Sequence, residues 1–427
     1  SIVLTGTRVT DSGMTNLAAC EDLKAVDLSW TRTGDGAIRA LAGKGKLGIF
    51  RSGNHVTDAG LELLHALPVF KTWQGGEPKM SLLGSDTGPN FLMLRGSFTD
   101  RGMGQLVGLD GLFALNIDGD QLAITGAGLA PLVNLPHLGW LAIDAKDESM
   151  PYIAALPHLR FLLCQDTVAG DDGFVALSRS QSIEYIWGRR CHNLRRRGFM
   201  AFANMPALGH LSVSCKNVDD VGLSALPRLR FLLCQDTVAS DDGFVALSRS
   251  QSIEYIWGRR CYNLRRRGFM ALANMPALGH LSVSCKNVDD VGLSALPQFP
   301  ALAELMPMDV PDDGYRHISR CERLESLVLM YCRDTTDVAT QHIAALPRLK
   351  KYFASYNRIT DRTPEILSRV DSLEDVTFDS CAGLSNAGIT ALARLPRLRE
   401  LRVESMPRVT ADVAAAFPPT VRVRYST

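Results

Sequence analysis

The amino-acid sequence predicts an α/β solenoid. In this fold strand–turn–helix coils stack into a curved horseshoe, with a parallel sheet on the concave face and helices on the convex face. Three observations predict it. Residues 159–227 recur almost unchanged at 229–297, an offset of 70. Each copy contains three shorter units, which start 24, 25 and 21 residues apart. Apolar residues also recur in phase along nearly the whole chain. A stack whose units contact only their neighbours can accept a whole number of inserted units.

Each unit follows the pattern LxxLxLxx(C/T/N)xx(V/I)TDxGLxxLaxLPxL, and about 18 units cover the chain. The LxxLxL segment alternates as a strand does, so that Leu208, Leu211 and Val213 point inward. A following Thr-Asp or Asp-Asp pair predicts an N-cap, because a short side-chain oxygen can bind the free amides of the next helix. A proline such as Pro227 ends that helix. One unit is therefore a strand, a turn, a helix and a return loop.

This pattern resembles the leucine-rich repeat. It is most similar to the cysteine-containing, ribonuclease-inhibitor-like variety of F-box-type and bacterial leucine-rich repeat proteins, as in LEDVTFDSCAGLSNAGITAL. The resemblance covers nearly the whole chain. It implies a curved solenoid that recognises other proteins. It also implies, as one alternative, the substrate-recognition arm of a ubiquitin-ligase-like or effector protein whose other domain is missing.

The domain organisation follows from the repeat. We expect a single solenoid over residues 1–427, with a near-identical three-repeat duplication at 159–227 and 229–297. Residues 74–90, QGGEPKMSLLGSDTGPN, carry glycines and prolines where a helix is expected, which predicts an irregular loop in a degenerate repeat that begins near Phe70. Residues 420–427 contain the alternating TVRVRY and predict a C-terminal capping strand, whose arginines suit a protected sheet edge.

Composition excludes several classes of function. The formal net charge is +1, which gives no global field for nucleic acid or an acidic membrane. We find no apolar run long enough for a transmembrane helix and no signal-peptide pattern. The ten cysteines form no CxxC pair. Equivalent cysteines on stacked units allow bridges, but buried free thiols in a reducing compartment are the simpler interpretation, so we expect a cytoplasmic protein, with a secreted effector as the alternative.

The sequence predicts no catalytic, cofactor or metal site. There is no HExxH, nucleophile elbow, phosphate-binding loop or dinucleotide fingerprint. The acidic pairs occupy the position of Thr-Asp in other units, which favours helix capping over metal binding or acid–base chemistry: Asp171-Asp172, Asp219-Asp220, Asp241-Asp242, Asp289-Asp290 and Asp312-Asp313. We therefore expect a protein that is not an enzyme.

The remaining candidate is the concave face, where the variable strand residues point. Exposed aromatic side chains beside arginines resemble the composition of interface hot spots. The predicted partner-binding residues are Trp140, Arg160, Phe161, Tyr185, Trp187, Arg189 and Arg190, followed by Arg230, Phe231, Tyr255, Trp257, Arg259 and Arg260. The same aromatic residues could instead pack on one another as ladders that support the sheet.

A second candidate patch is basic. Arg195, Arg196 and Arg197, with their copies Arg265, Arg266 and Arg267, come at the start of a predicted helix, where positive charge is unfavourable. They could bind an acidic partner or RNA, or they could pair with the neighbouring aspartates. The leading interpretation is a non-enzymatic scaffold that binds a protein or peptide on the concave face. The alternative from another class is a structural spacer with no concave ligand.

Overall fold

The computed structural model of the chain forms two compact units, Ser1–Val213 and Ser214–Thr427. It describes residues 1–75, 79–81, 84–86, 88, 90–119, 122–226, 228–330 and 332–426. Part of the predicted irregular loop at 74–90 and the predicted helix stop Pro227 lie outside the described residues. None of the described helices is long and apolar enough to cross a lipid bilayer.

The first unit alternates short strands and short helices. Its strands are β1 Ile2–Val3, β2 Ala25–Asp27, β3 Ile49–Arg51, β4 Val56–Thr57, β5 Lys79–Ser81, β6 Gly84–Asp86, β7 Phe91–Ser97, β8 Ala114–Asp118, β9 Trp140–Ile143, β10 Phe161–Leu163, β11 Tyr185–Gly188 and β12 His210–Val213. Its α-helices are α1 Asp11–Met14, α2 Asp35–Ala40, α3 Asp58–Leu63, α4 Asp100–Gly104, α5 Met150–Ala154, α6 Asp171–Leu177 and α7 Arg196–Ala201. Single 3-10 turns continue several of these helices, and Ala127–Asn134 is 3-10 throughout.

The strands of the first unit pair in parallel and almost in chain order, from β1 to β2, β3, β7, β8, β9, β10, β11 and β12. The prediction of a degenerate repeat that starts near Phe70 is wrong. Phe70 lies in a 3-10 helix, Pro68–Lys71, and β3 pairs directly with β7 through Ile49 and Phe91. The intervening segment instead contains an antiparallel pair, β5 with β6, so it is an excursion between two neighbouring coils.

The second unit is built in the same way. Its strands are β13 Phe231–Leu233, β14 Tyr255–Gly258, β15 His280–Ser284, β16 Glu304–Met308, β17 Ser326–Met330, β18 Lys351–Ser355, β19 Asp375–Asp379, β20 Glu400–Glu404 and β21 Arg422–Ser426. Its α-helices are α8 Asp220–Leu223, α9 Asp241–Leu247, α10 Arg266–Leu272, α11 Asp290–Leu293, α12 Tyr315–Ile318, α13 Asp337–Ile343, α14 Arg362–Leu367 and α15 Asn386–Thr390. Successive strands pair in parallel from β13 to β21.

Alternation along each strand separates two faces. On the face toward the helices, leucines and isoleucines of neighbouring strands align in register and are fully buried, as Leu141, Leu162 and Ile186 show. A buried row of this kind holds parallel strands together because each side chain covers the one beside it. We call the opposite face, away from the helices, the inner face. The repeating strand, turn and helix confirm the predicted leucine-rich repeat solenoid.

The duplicated segments fold alike. In the first copy Phe161 aligns with Tyr185, and in the second Phe231 aligns with Tyr255. Helix α6 and helix α9 cover the same seven residues of their repeats, DDGFVAL. The few differences between the copies therefore allow a residue-by-residue comparison.

The Thr-Asp pairs act across coils as well as within them. Asp58, the first residue of α3, accepts the backbone N–H of Thr99 at 3.0 Å and the Thr99 hydroxyl at 2.5 Å. The cap therefore serves the helix of the next coil, whereas the sequence predicts a cap within the same coil. The same cross-coil bond is made by Asp11, Asp35, Asp100, Asp147, Asp171, Asp220, Asp241, Asp312, Asp337 and Asp361. Asp219 and Asp289 cap their own helices, as predicted.

This cross-coil cap explains the glycine of the TDxG motif. A Cβ on Gly102 would overlap the carboxylate of Asp58. The helix of each coil must approach the aspartate of the preceding coil closely enough for its amides to bind, and a side chain at this position would hold the two apart. The three residue types of the consensus therefore serve one kind of contact between neighbouring coils. The threonine donates hydrogen bonds, the aspartate of the preceding coil accepts them, and the glycine lets the two coils approach closely.

The cysteines confirm the interpretation as free thiols. All ten are unbridged, and nine of them are buried, with Cys20 exposed. Burial raises the pKa of the Cys321 and Cys332 thiols to about 12 and that of Cys381 to about 11. These thiols behave as small apolar core groups.

Candidate functional site

The inner face of the first unit carries a row of aromatic side chains. Strand register aligns Phe91 with Ala114, Ala114 with Trp140, Trp140 with Phe161, and Phe161 with Tyr185. Trp187 lies two residues farther along β11 than Tyr185, on the same face. Together with Phe113, Ala142 and partly buried neighbours, these residues form one cluster, which we call the inner-face cluster.

The rings of this cluster pack on one another. Phe91 meets Trp140 edge-on across the small Ala114, with ring centroids 5.8 Å apart. Phe161 and Tyr185 are 6.1 Å apart, and Tyr185 stacks on His210 at 3.9 Å. Parallel strands lie about 4.8 Å apart, so aromatic rings in register on neighbouring strands must contact each other.

The prediction that these aromatic residues are exposed is wrong. Trp140 is 4% exposed, Phe161 5%, Tyr185 3% and Trp187 8%. Trp73, which follows the 3-10 helix Pro68–Lys71, adds to the cover by packing on Phe113 and stacking on His137. The rings therefore support the sheet, and a partner could reach chiefly their edges and the polar groups around them.

The predicted arginines surround this cluster, and most are paired. Arg160 forms two parallel hydrogen bonds with Glu184 on the neighbouring coil, at 2.9 and 3.1 Å. Arg190 pairs with Asp166, and this pairing lowers the pKa of the aspartate and raises that of the arginine. Both Asp166 and Arg190 have a positive φ, which directs their side chains outward at the end of the strand.

Arg189 differs from these arginines. Its side chain is exposed, and its guanidinium carbon lies 5.7 Å from the ring centre of Trp187. Among the described residues no carboxylate forms an ion pair with it. The structure thus places a solvent-accessible cation against a largely buried tryptophan of the inner face.

The second unit repeats part of this arrangement. Phe231 stacks on Tyr255 at 4.7 Å, and Tyr255 stacks on His280 at 5.1 Å. Trp257 is 8% exposed, so it too is buried where the sequence predicts exposure. The predicted arginines have the same partners as in the first copy: Arg230 binds Glu254 at 2.9 and 3.0 Å, and Arg260 pairs with Asp236. Arg259 follows β14 and is half-buried.

The aromatic row of the second unit ends at β16. The position of Tyr255 is taken by Glu304 in β16, Ser326 in β17 and Lys351 in β18. At this register position polar and charged side chains therefore replace the aromatic ring, although Phe353 still lies on the inner face of β18.

Three arginines of the basic triplets form ion pairs with aspartates. Arg197 pairs with Asp172, and its copy Arg267 pairs with Asp242. Arg266 binds Asp289, and the backbone N–H of Arg265 donates to Asp241 at 2.7 Å. Neighbouring carboxylates thus offset the positive charge at these helix starts.

Several polar atoms on the inner face are buried without a hydrogen-bond partner among the described residues. In the first unit these include the Tyr185 hydroxyl and the Ser212 hydroxyl. In the second they include the Trp257 indole nitrogen and the Ser282 hydroxyl, and Ser282 is the copy of Ser212. An unsatisfied buried polar group costs about 1–3 kcal/mol, so the inner face carries polar atoms that a bound chain could satisfy.

A cleft opens beside the inner-face cluster at the carboxyl ends of β8, β9 and β10. Its volume is about 600 Å³. Ala142, Ile143 and Leu163 line its apolar part, and three aspartates from successive coils line its polar part: Asp118, Asp144 and Asp166. This cleft is not among the sites predicted from the sequence. The signal for it is the recurrence of aspartate at or shortly after the ends of three consecutive strands.

No metal-ligand arrangement appears in the described parts of the chain. Nowhere there do three or more histidine, cysteine, aspartate or glutamate side chains come together in a way that could hold a metal ion. The three cleft aspartates are therefore spread along the sheet and do not converge on one point.

No protein-family model matches the chain. Among solved structures, an internalin from Listeria monocytogenes is 18% identical over 75% of this chain and 82% of its own, with a TM-score of 0.40. A leucine-rich repeat protein from Leptospira interrogans is 12% identical over 98% and 94%, with a TM-score of 0.41. The yeast Rad7–Elc1 complex matches at 14% identity over 97% and 88%, with a TM-score of 0.42. The fold assignment comes from the strand register and the coils themselves.

Proposed function

We propose that this protein is a non-enzymatic interaction scaffold that binds a protein or peptide on its inner face. The observation that carries the proposal is the exposed Arg189 beside Trp187, with no carboxylate partner among the described residues. Tryptophan, tyrosine and arginine dominate the binding energy of protein interfaces. A guanidinium held against a ring is also partly ordered before a partner arrives, which lowers the entropy cost of binding.

The surroundings of Arg189 support this proposal. The hydroxyls of Tyr185 and Ser212, which are buried without a hydrogen-bond partner in the part of the chain that the structure describes, lie on the same face, on β11 and the neighbouring β12. A chain laid across the ends of these strands could exchange hydrogen bonds with such groups and a carboxylate with Arg189. The proposed contact residues therefore remain those predicted from the sequence, with the arginines as the accessible part and the rings as their support.

One observation favours the alternative of a structural spacer. The aromatic rings are buried against each other, so their presence is explained by sheet packing alone. A spacer would have no use for an exposed Arg189 that pairs with no carboxylate among the described residues, and the duplication of a spacer would only lengthen the body. The two proposals thus differ in what happens when Arg189 and its copy Arg259 are changed.

The test is affinity capture from a lysate of the source cells, with quantitative mass spectrometry of bound proteins. The full chain is compared with the double variant Arg189→Glu/Arg259→Glu, which reverses charge on the inner face of both units. Arg179→Glu/Arg249→Glu is the matched control, because these exposed arginines follow α6 and α9 in the two copies and lie outside the proposed surface.

The scaffold proposal expects at least one protein that is retained by the parent chain and by the control but reduced at least fivefold with the inner-face variant. Equal capture by all three proteins contradicts the assignment of the inner face. A complete lack of specific partners favours the spacer. Thermal melting of all three proteins checks their folding, and the single variant Arg189→Glu repeats the capture with a change confined to an exposed side chain, since Arg259 is half-buried.

A further inference from the structure

The cleft at the ends of β8, β9 and β10 contains one exposed carboxylate, that of Asp144, which contacts no counter-ion among the described residues. On the first side of Asp144, Asp118 forms an ion pair with Arg95 at 3.0 Å. On the other side, Asp166 pairs with Arg190. Asp144 itself forms no hydrogen bond or ion pair with any residue that the structure describes. Lys146 also lines the cleft and attracts Asp144 from a distance, but it does not pair with it.

The environment of Asp144 makes this gap unfavourable for the free protein. Partial burial raises the pKa of the Asp144 carboxyl; the positive charge of Lys146 opposes this shift, and the negative charges of Asp166 and Asp118 add to it. A carboxylate between two others in a partly desolvated cleft is stabilised when a cation comes within hydrogen-bonding distance. In this protein the two flanking carboxylates each form an ion pair with an arginine of the neighbouring coil, which indicates that an arginine is the suitable cation for Asp144 as well.

We propose that the cleft receives an arginine side chain of the peptide or protein partner, whose guanidinium pairs with Asp144. The apolar residues Ala142, Ile143 and Leu163 would pack against the methylene groups of that arginine. The planar guanidinium suits a carboxylate better than a lysine ammonium does, because it can donate two parallel hydrogen bonds.

This inference rests on the proposed function, because the cleft shares Ala142 and Leu163 with the inner-face cluster. It also specifies how a partner segment would be oriented on the inner face. Arg189 follows β11, two strands beyond the β9 strand that Asp144 follows, so the two side chains start about 10 Å apart. A partner segment with an arginine at one end and an acidic residue at the other would match both.

The test uses a random heptapeptide phage library as the probe and the immobilised full chain as the target. Selection is run against the parent chain and against Asp144→Asn, which keeps the shape and removes the charge. Asp110→Asn is the matched control, because Asp110 is an exposed aspartate of the same unit, located before β8 and outside the cleft. The proposal expects arginine to be enriched among peptides that bind the parent chain and the control but not Asp144→Asn.

The binding affinity of a synthetic copy of an enriched peptide is then measured by fluorescence anisotropy. Arginine to glutamine in the peptide, or Asp144→Asn in the protein, should weaken binding at least tenfold, and the two changes together should weaken it no more than either alone. Arginine to lysine should give an intermediate loss.

Several results would overturn the proposal. These are the absence of arginine enrichment, peptides that bind Asp144→Asn as well as the parent chain, and equal affinity for arginine and lysine peptides. A rise in melting temperature with calcium or magnesium ions that is lost in Asp144→Asn would reassign the cleft to a metal ion. If the library result is negative while lysate capture still depends on Arg189, the cleft assignment fails and the scaffold proposal stands.

Discussion

Ser240 binds the carboxylate of Asp220 with both of its donor groups. Its backbone N–H donates to one oxygen at 2.6 Å and its hydroxyl donates to the other at 2.9 Å. At the equivalent place in the first copy, Gly170 donates only its N–H to Asp147, at 2.7 Å. One of the few differences between the copies thus changes a single hydrogen bond between neighbouring coils.

We predict that Gly170→Ser stabilises the protein by about 1 kcal/mol, because it adds a hydroxyl donor to Asp147 and a better N-cap for α6. A Cβ at this position has its nearest neighbour at 3.7 Å, so the serine fits. Ser240→Gly should destabilise by a similar amount. The measurement is the midpoint of urea unfolding. A change of the same sign in both variants would contradict this account of the cross-coil cap.

The glycine of the TDxG motif gives a second prediction. Gly102→Ala should destabilise by about 2 kcal/mol, because the new methyl group displaces the Asp58 carboxylate and leaves the Thr99 amide without its acceptor. Gly104→Ala in the same helix meets nothing within 4 Å and should stabilise by about 0.5 kcal/mol through helix propensity. Thermal unfolding of the two variants provides the comparison. Equal effects of the two substitutions on stability would show that position 102 tolerates a side chain as well as position 104 does.

The repeat could be predicted from the sequence because coil geometry depends on short-range patterns. The alternation in LxxLxL and the helix that follows are local, so their phase places Leu141, Leu162 and Ile186 in the core without further information. The partner of Asp58 could not be predicted in the same way. Thr99 lies 41 residues later and becomes its neighbour only when the excursion between β3 and β7 is known.

For the candidate site, prediction from the sequence failed for a different reason. Sequence alternation correctly places Trp140, Tyr185 and Trp187 on the inner face, but exposure depends on the residues of the two neighbouring strands. Ala114 is small enough to let Phe91 and Trp140 contact each other across it, and this contact buries both rings. The role of the cleft aspartates could not be predicted for a similar reason. Asp144 has its significance only from the arginine pairs of the coils on either side.

Burial of the inner-face rings leads to a third prediction. Trp187→Ala should destabilise the first unit by about 3 kcal/mol, because it removes a ring that is 8% exposed and leaves a cavity. Trp30→Ala is the control, since Trp30 is 59% exposed and contacts chiefly Arg95, and it should cost less than about 1 kcal/mol. Urea unfolding followed by circular dichroism measures both. Similar losses in the two variants would mean that Trp187 is as accessible as Trp30.

The thiols give a fourth prediction. A maleimide reagent at neutral pH should modify one cysteine of the native protein, Cys20, and all ten after denaturation, with no difference between reduced and unreduced samples. The nine buried thiols are protected by lack of access, and a raised pKa in several of them also lowers the fraction of reactive thiolate. Intact-mass spectrometry counts the adducts. The variant Cys20→Ser should take up none in the native state, and rapid labelling of a second cysteine would contradict the burial.

His210 gives the last prediction, which concerns pH. Burial lowers the pKa of its imidazole from an ordinary 6.5 to about 3. The unfolded chain therefore binds a proton below pH 6.5 that the folded chain does not bind until about pH 3, so stability falls as the pH falls through this range. At pH 5 the loss amounts to about 2 kcal/mol relative to pH 8. His210→Phe keeps a ring against Tyr185 and removes the titration, so its unfolding midpoint should fall less between pH 8 and pH 5 than that of the parent chain. His158→Phe, at an exposed position, is the control and should retain the full decrease. If all three proteins lose the same stability on acidification, the imidazole of His210 is accessible to protons in the folded state.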